Sequence, residues 1–148
     1  MPTPADSGAI RQVDLTKTAA LQNAVRQVGG GDIDLKAIVY ADLTGDRREE
    51  AVVPVDSGGT LGNIAYLVFT MRGGAPALIL TRTPGRSSAG GLKMVVEAGK
   101  LVEIAAEYGP QDPLCCPSAL RRTTFRWDGL TLQVEREEKV SSTPGPKQ

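Results

Sequence analysis

The sequence contains no histidine, and this absence removes a whole set of functions. Without an imidazole the chain cannot build a Ser-His-Asp triad, a Cys-His dyad, a histidine-ligated metal site or a histidine proton shuttle. Aromatic residues make up only 4% of the chain, so stacking platforms for nucleic acid bases are not expected. Lys plus Arg and Asp plus Glu number 17 each, so no net charge attracts nucleic acid or an anionic membrane.

Long apolar runs are also missing. No stretch approaches the roughly 20 apolar residues of a membrane-spanning helix, and no signal peptide is recognised in the chain. The 148 residues do contain 41% hydrophobic side chains, which is enough for one core. We therefore predict a single domain over residues 14–138, a flexible N-terminal tail at 1–13 and a disordered C-terminal tail at 139–148.

One helix is predicted near the start of this domain. Leu21, Ala24, Val25 and Val28 recur at helical spacing, so the helix is expected over residues 16–28 and to end at the three glycines that follow. The rest of the chain reads as strands and turns. The fold is therefore predicted to be α+β: an N-terminal helix followed by an antiparallel β-meander of about eight strands, curled or folded into two layers.

The first four strands are separated by turn-forming residues. The third is apolar at nearly every position, which indicates a central strand covered on both faces. These strands are predicted at residues 35–41, 51–55, 64–71 and 77–82.

Two later hairpins allow their register to be predicted. If residues 97–99 form a three-residue loop, Lys93 faces Glu103 and apolar residues face each other. The dipeptide at 128–129, Asp-Gly, is typical of a two-residue type I′ turn. That turn places Trp127 opposite Leu130 and Phe125 opposite Leu132, with a polar opposite face.

The densest chemistry lies in an acidic turn between the first two strands, where residues 42–53 read DLTGDRREEAVV. Oxygen-bearing groups recur there at alternate positions, which is the arrangement a tight loop needs to wrap a hard cation. Calcium is therefore the one cofactor that the sequence suggests. The candidate ligands are Asp42, Thr44, Asp46, Arg48 through its carbonyl, and Glu50.

This turn is similar to the calcium loops of FG-GAP and VCBS repeats, in which D-x-N-G-D-G-x-x-D precedes an apolar strand. Arg47 replaces the glycine of that pattern, and Val53 stands where a bidentate Glu closes other calcium loops. The alternative is a hairpin turn in which aspartates accept hydrogen bonds from the turn's own amides while arginines substitute for a cation.

Cys115 and Cys116 are the only cysteines, so an internal disulfide must join neighbours. Adjacent Cα atoms lie about 3.8 Å apart, less than in ordinary disulfides, so such a bridge is strained and reducible. The alternatives are redox sensing, a rigid ligand-binding knuckle, or two small residues that shape the loop before Pro117. Zinc is poorly supported without a C-x-x-C motif or histidine.

Three motifs in order, DLTGDRREEAVV, DPLCCPS and TTFRWDG, resemble a group of uncharacterised bacterial exported and lipoprotein domains. The resemblance spans roughly residues 36–135. It implies a cell-envelope or extracellular location, with membrane attachment only through a lipid anchor or signal segment that is not part of this chain. It carries over no catalytic residues.

The leading hypothesis is a non-enzymatic envelope or secreted domain that binds a protein, a cell-wall component or a small ligand. The first alternative is a calcium-stabilised extracellular module that uses residues 42–50. The second is a thiol or hydrolytic enzyme that uses Cys116 or the carboxylates of the acidic turn.

The cysteine hypothesis makes a direct prediction for an exported protein. Native protein purified under oxidising conditions is expected to show no thiol that reacts with a maleimide, and mild reductant is expected to release two. Denatured, unreduced protein is the control for buried thiols. Two thiols that react without reductant would contradict the vicinal bridge.

Overall fold

The structure is a computed structural model that describes residues 9–27, 31–56, 63–83, 92–107, 110–111 and 118–141. Within these residues there is one α-helix, α1, at Ala19–Gln27, and three short 3-10 turns, at Ala9–Gln12, Leu15–Lys17 and Leu35–Ala37. The eight strands are β1 Val39–Ala41, β2 Glu50–Asp56, β3 Asn63–Arg72, β4 Ala75–Arg82, β5 Lys93–Glu97, β6 Lys100–Glu107, β7 Ala119–Trp127 and β8 Leu132–Ser141. In the described part of the chain, no helix has the length and apolarity needed to cross a membrane.

The strands form two open, antiparallel sheets, so the protein is β-rich. Sheet 1 has the order β1-β2-β3-β4 and sheet 2 the order β5-β6-β7-β8. The expected eight-strand meander is thus divided, because no strand of one sheet pairs with the other among the described residues. The division lets sheet 2 cover a face of sheet 1 that would otherwise be exposed.

The two central strands of sheet 1, β2 and β3, are buried on both faces, as the almost wholly apolar sequence of β3 predicts. On one face, Val53 and Leu67 pack against residues of the N-terminal segment and α1, such as Leu21. On the other face, Val52 and Val68 pack with residues of sheet 2. The molecule therefore has three layers, with sheet 1 between the helical segment and sheet 2.

The N-terminal helical segment begins with the 3-10 turn at Ala9–Gln12, earlier than the domain boundary predicted at residue 14, whereas α1 begins later than predicted. Ile10 is only 1% exposed in the core, so the flexible N-terminal tail expected over 1–13 does not describe residues 9–13. The Asp14 side chain caps the 3-10 turn that follows. The Thr18 hydroxyl then accepts a hydrogen bond from Leu21 N–H, which starts α1 at Ala19 rather than at residue 16.

The first and last strands also differ from prediction. Asp34 accepts a hydrogen bond from Lys36 N–H and begins a 3-10 turn, which leaves only Val39–Ala41 for β1. At the other end, β8 pairs with β7 as far as Ser141, beyond the boundary drawn at residue 138. A short local hydrogen bond decided the first case, and strand pairing over a longer distance decided the second.

The β5–β6 hairpin has a register one residue away from the predicted one. Ala98 (φ 53°) and Gly99 (φ 77°) both adopt the left-handed conformation, so the turn has two residues rather than three. Glu103 consequently lies opposite Met94, and the predicted Lys93–Glu103 pair is wrong. The prediction failed because it assigned a positive φ to glycine alone.

The β7–β8 hairpin exists as predicted, but its turn is longer. The Asp128 carboxylate accepts hydrogen bonds from the N–H groups of Leu130 and Thr131, both at 2.8 Å. These bonds lower the pKa of Asp128 and close a four-residue turn in place of the type I′ turn. Trp127 therefore lies opposite Leu132. This shift of two residues keeps the side chains next to the turn on their predicted faces, but beyond the bulge at Thr124/Phe125 the shift is three residues, so Thr123 lies opposite Glu137.

A buried carboxylate links the two sheets. Glu103 of β6 is fully buried and accepts a hydrogen bond from the Tyr66 hydroxyl of β3 at 2.8 Å. Arg82 of β4 donates to the two Glu103 carboxylate oxygens at 2.7 and 3.2 Å and lies over the Phe125 ring. Burial and the Glu103 charge raise the pKa of Tyr66, and the hydrogen bond to Glu103 raises the pKa of Arg82. Both donors therefore keep their protons.

This linkage predicts unequal costs for two arginine substitutions. Arg82→Met leaves Glu103 buried with one donor and is expected to lower the free energy of unfolding by about 3 kcal/mol. Arg122→Met removes an exposed pair with Glu97 and is expected to cost at most about 1 kcal/mol. Urea denaturation of both variants measures the difference. Equal losses would show that the Glu103 linkage does not stabilise the fold.

Candidate functional site

The acidic turn occupies the connection between β1 and β2. The two strands pair up to Ala41 and Glu50, so the chain must reverse over the eight residues between them. Gly45 has φ 81°, which glycine adopts readily. Arg47 has φ 67°, so the backbone takes a left-handed conformation at the position where the calcium loops that this turn resembles in sequence carry glycine. This conformation strains a non-glycine residue by roughly 1–2 kcal/mol.

Asp42 organises the backbone of the turn. Its Oδ1 accepts hydrogen bonds from the N–H groups of Thr44 and Gly45, and its Oδ2 accepts one from Arg47 N–H at 2.8 Å. Asp46 accepts a further bond from Arg48 N–H at 2.9 Å. The expected contacts between the aspartates and the turn's own amides are therefore present.

Glu50, the first residue of β2, is fully buried. Its Oε1 accepts a hydrogen bond from Leu43 N–H at 2.7 Å and its Oε2 accepts one from the Thr70 hydroxyl at 2.9 Å. Burial raises the pKa of Glu50 to about 7, although both hydrogen bonds act in the opposite direction. The neighbouring charges of Asp46 and Asp42 raise the pKa further.

The three carboxylates converge. One oxygen from each of Asp42, Asp46 and Glu50 lies within 4.8 Å of the others. Among the described residues, no ion pair joins this cluster to Arg47 or Arg48, so the expectation that arginines substitute for a cation is not met. A proton on Glu50 or a bound cation would reduce the repulsion that remains between the three carboxylates.

The donor set fits a hard cation. Carboxylate and hydroxyl oxygens are the ligands that calcium prefers, and each carboxylate keeps at least one lone pair after its hydrogen bonds to the chain. The Thr44 Oγ1 is buried and has no hydrogen-bond partner. Arg48 meets the cluster through its backbone N–H, and its Nε is likewise buried without a partner. The Nε–H of Arg48 needs an acceptor, whereas the Thr44 hydroxyl can be satisfied by a water or an ion.

A second contact ties the turn to the N-terminal segment. Arg11 donates to both carboxylate oxygens of Glu49, at 2.6 and 2.9 Å, and its guanidinium lies over the Tyr40 ring at 4.7 Å. The hydrogen bond from Arg11 lowers the pKa of Glu49. Glu49 therefore points away from the cluster, and it provides a natural control for experiments on Glu50.

Sequence reasoning named the cluster but not the residues that support it. Thr70 and Leu43, which hold the Glu50 carboxylate, belong to an apolar strand and to the turn backbone, and neither carried a visible signal. Glu103 did carry one, since a charge interrupts the apolar run of β6. Cys115 and Cys116 lie outside the described residues.

The burial of Glu50 predicts an unusual dependence of stability on pH. Its pKa is about 7 in the folded protein and near 4.5 in the unfolded chain, so the folded state binds more protons between these values. The free energy of unfolding should therefore fall as pH rises from 4.5 to about 7. Above that range the loss is on the order of 2–3 kcal/mol.

Urea denaturation of Glu50→Gln in the presence of a chelator tests this prediction. The variant should be more stable than the parent at pH 8 and equal or slightly less stable at pH 5, because glutamine never ionises. Glu49→Gln should show a small loss, alike at both pH values, since only the contact with Arg11 is weakened. A parallel pH dependence of Glu50→Gln and the parent would contradict the assignment.

Comparison of this chain with family models, with curated proteins and with solved structures gave no match. The turn combines a strained backbone, three converging carboxylates and a buried, unpartnered hydroxyl. These features can bind a cation, whereas a second reactive group beside them is not seen among the described residues.

Proposed function

We propose that the protein is a non-enzymatic domain of the bacterial cell envelope or exterior, which binds a protein, a cell-wall component or a small ligand. One structural observation supports the proposal that the protein is not an enzyme. The two buried carboxylates of the described residues, Glu50 and Glu103, are held by hydrogen bonds that join separate strands. A catalytic acid or base would instead face a substrate. The location rests on the three sequence motifs.

The sheet edges favour binding through loops or faces over addition of a partner strand. At one edge of each sheet the strand is short, with three residues in β1 and five in β5. On β4, Pro76 lacks an N–H and a bulge follows at residue 79. On β8, charged residues occupy 135–139 and a second bulge interrupts the ladder. Short, charged or bulged edges discourage strand pairing.

The location is tested by fusing alkaline phosphatase to the C-terminus of the complete native reading frame. This reporter needs disulfides that form only outside the cytoplasm, so the fusion is expected to be active. A matched β-galactosidase fusion, which works only inside the cytoplasm, should be inactive. The reverse pattern from intact fusion proteins would overturn the proposed location.

A second candidate function is that of a calcium-stabilised module, in which the ion is structural. The specific observation in its favour is the convergence of Asp42, Asp46 and Glu50, with the unpartnered Thr44 hydroxyl in the same turn. An ion shared by Asp46 and Glu50 would join the exposed tip of the turn to the buried start of β2. It would thus offset both the carboxylate repulsion and the strain at Arg47.

Calcium is accordingly expected to raise the melting temperature at neutral pH. A hundredfold excess over Kd stabilises by about 2.7 kcal/mol, which amounts to several degrees for a chain of this size. Asp46→Asn should lose most of the increase, because the amide removes one negative charge from the cluster. The variant should still fold, because residue 46 is exposed and the asparagine carbonyl can accept the bond from Arg48 N–H.

Glu49→Gln is the control for the calcium experiment and should respond like the parent protein. Magnesium chloride at the same concentration controls for ionic strength. An unchanged melting temperature of the parent in millimolar calcium would remove this candidate. So would an equal increase in Asp46→Asn.

A further inference from the structure

Two basic residues lie side by side where sheet 2 faces sheet 1. Arg121 of β7 is directly opposite Ala105 of β6, which is fully buried in the core between the sheets. On its other side, Arg121 is directly opposite Lys139 of β8. Directly opposed residues of an antiparallel pair project from the same face, with Cβ atoms about 5 Å apart. Arg121 and Lys139 therefore share the inter-sheet face.

The hydrogen-bonding capacity of Arg121 is poorly used. Its Nε is buried and has no hydrogen-bond partner. Within the described residues its ion pair is with Glu107, where Nη1 and Oε2 are 3.7 Å apart, which is longer than a hydrogen bond. In contrast, the neighbouring Arg122 contacts Glu97 at 2.6 Å on the opposite face. A buried donor without an acceptor is costly, so the Nε–H of Arg121 needs an oxygen from a ligand or a water.

Lys139 adds a second positive charge next to Arg121. It is exposed, and it takes part in none of the ion pairs formed within the described ranges. Like charges directly opposite each other on neighbouring strands destabilise a sheet. An anion held between Arg121 and Lys139 would remove this repulsion and supply the acceptor that Arg121 Nε lacks.

The surrounding acids limit the size of that anion. Glu137 is opposite Thr123, accepts a hydrogen bond from its hydroxyl at 3.4 Å and interacts with Arg82. Glu107 lies on the other side of Arg121. A large polyanion would meet both carboxylates, whereas a single carboxylate or phosphate group would contact only the two cations.

We propose that Arg121 and Lys139 form a binding site for a small oxyanion, a carboxylate or phosphate group, on the inter-sheet face of sheet 2. Because Nη1 faces Glu107, the other guanidinium edge, which carries Nε–H and Nη2–H, would make the bidentate contact with two oxygens, and the partly exposed Arg121 side chain would have to turn its buried Nε toward the anion. Lys139 contributes a point charge from the adjacent strand. The site rests on the proposed binding function and specifies a ligand class for it.

The test compares sodium phosphate and sodium acetate with sodium chloride at equal ionic strength. Thermal unfolding is expected to show a saturable increase in melting temperature with phosphate, acetate or both. Arg121→Gln should weaken the response at least about tenfold, and Lys139→Gln, an exposed change that is expected to fold, by about threefold or more. Arg122→Gln, on the same strand but the opposite face, should respond like the parent.

A second measurement covers the case in which Arg121→Gln does not fold. In the parent protein, the Arg121 Nε–Hε resonance should shift with phosphate or acetate and stay unchanged with chloride. The site is overturned if neither measurement shows a response above that to chloride. It is also overturned if Arg121→Gln and Lys139→Gln both respond as strongly as the parent protein. Such a failure would leave the reporter-fusion and calcium experiments unaffected, since neither involves Arg121 or Lys139.

Discussion

The architecture depends on the burial of both faces of the two central strands of sheet 1. Residues of β2 and β3 such as Val52, Val53, Leu67 and Val68 are completely excluded from solvent, although neighbours along a strand point in opposite directions. One face therefore needs a cover and so does the other. The N-terminal segment with α1 supplies the first and sheet 2 supplies the second, which is why the strands form two sheets rather than one.

Because the layers bury so much apolar surface, few charged side chains lie in the interior. The buried carboxylates, Glu50 and Glu103, act as connectors between elements of the fold. Glu103 lies between the sheets and gains donors from Tyr66 and Arg82, both on sheet 1. Glu50 lies at the start of β2 and gains donors from Leu43 N–H and Thr70. A carboxylate without these donors would be expensive to bury, so each one favours a single arrangement of the strands around it.

Glu50 also belongs to the acidic turn, where it lies beside the carboxylates of Asp42 and Asp46, and no ion pair within the described ranges joins these three to an arginine. Arg47 has a left-handed backbone conformation although it is not a glycine. Glu50 holds one end of the cluster in a buried position, while Asp46 at the other end is exposed. Binding of a cation at this cluster would be linked to ionisation of Glu50, since a proton and a cation would compete for the same oxygens.

Short-range patterns in the sequence determined the β-rich composition, the central position of β3, the two hairpins and the convergence of Asp42, Asp46 and Glu50. These depend on side-chain alternation and on spacing within a turn, which are local properties. The registers of those hairpins depended on the turn conformations at Ala98, Gly99 and Asp128, which the sequence pattern did not predict. Only the tertiary structure decided the division into two sheets, the partners of Glu103 and the pairing of Arg121 with Lys139. Contacts between residues distant in sequence fix those features, because the donor that a buried charge selects is known only when the layers have packed.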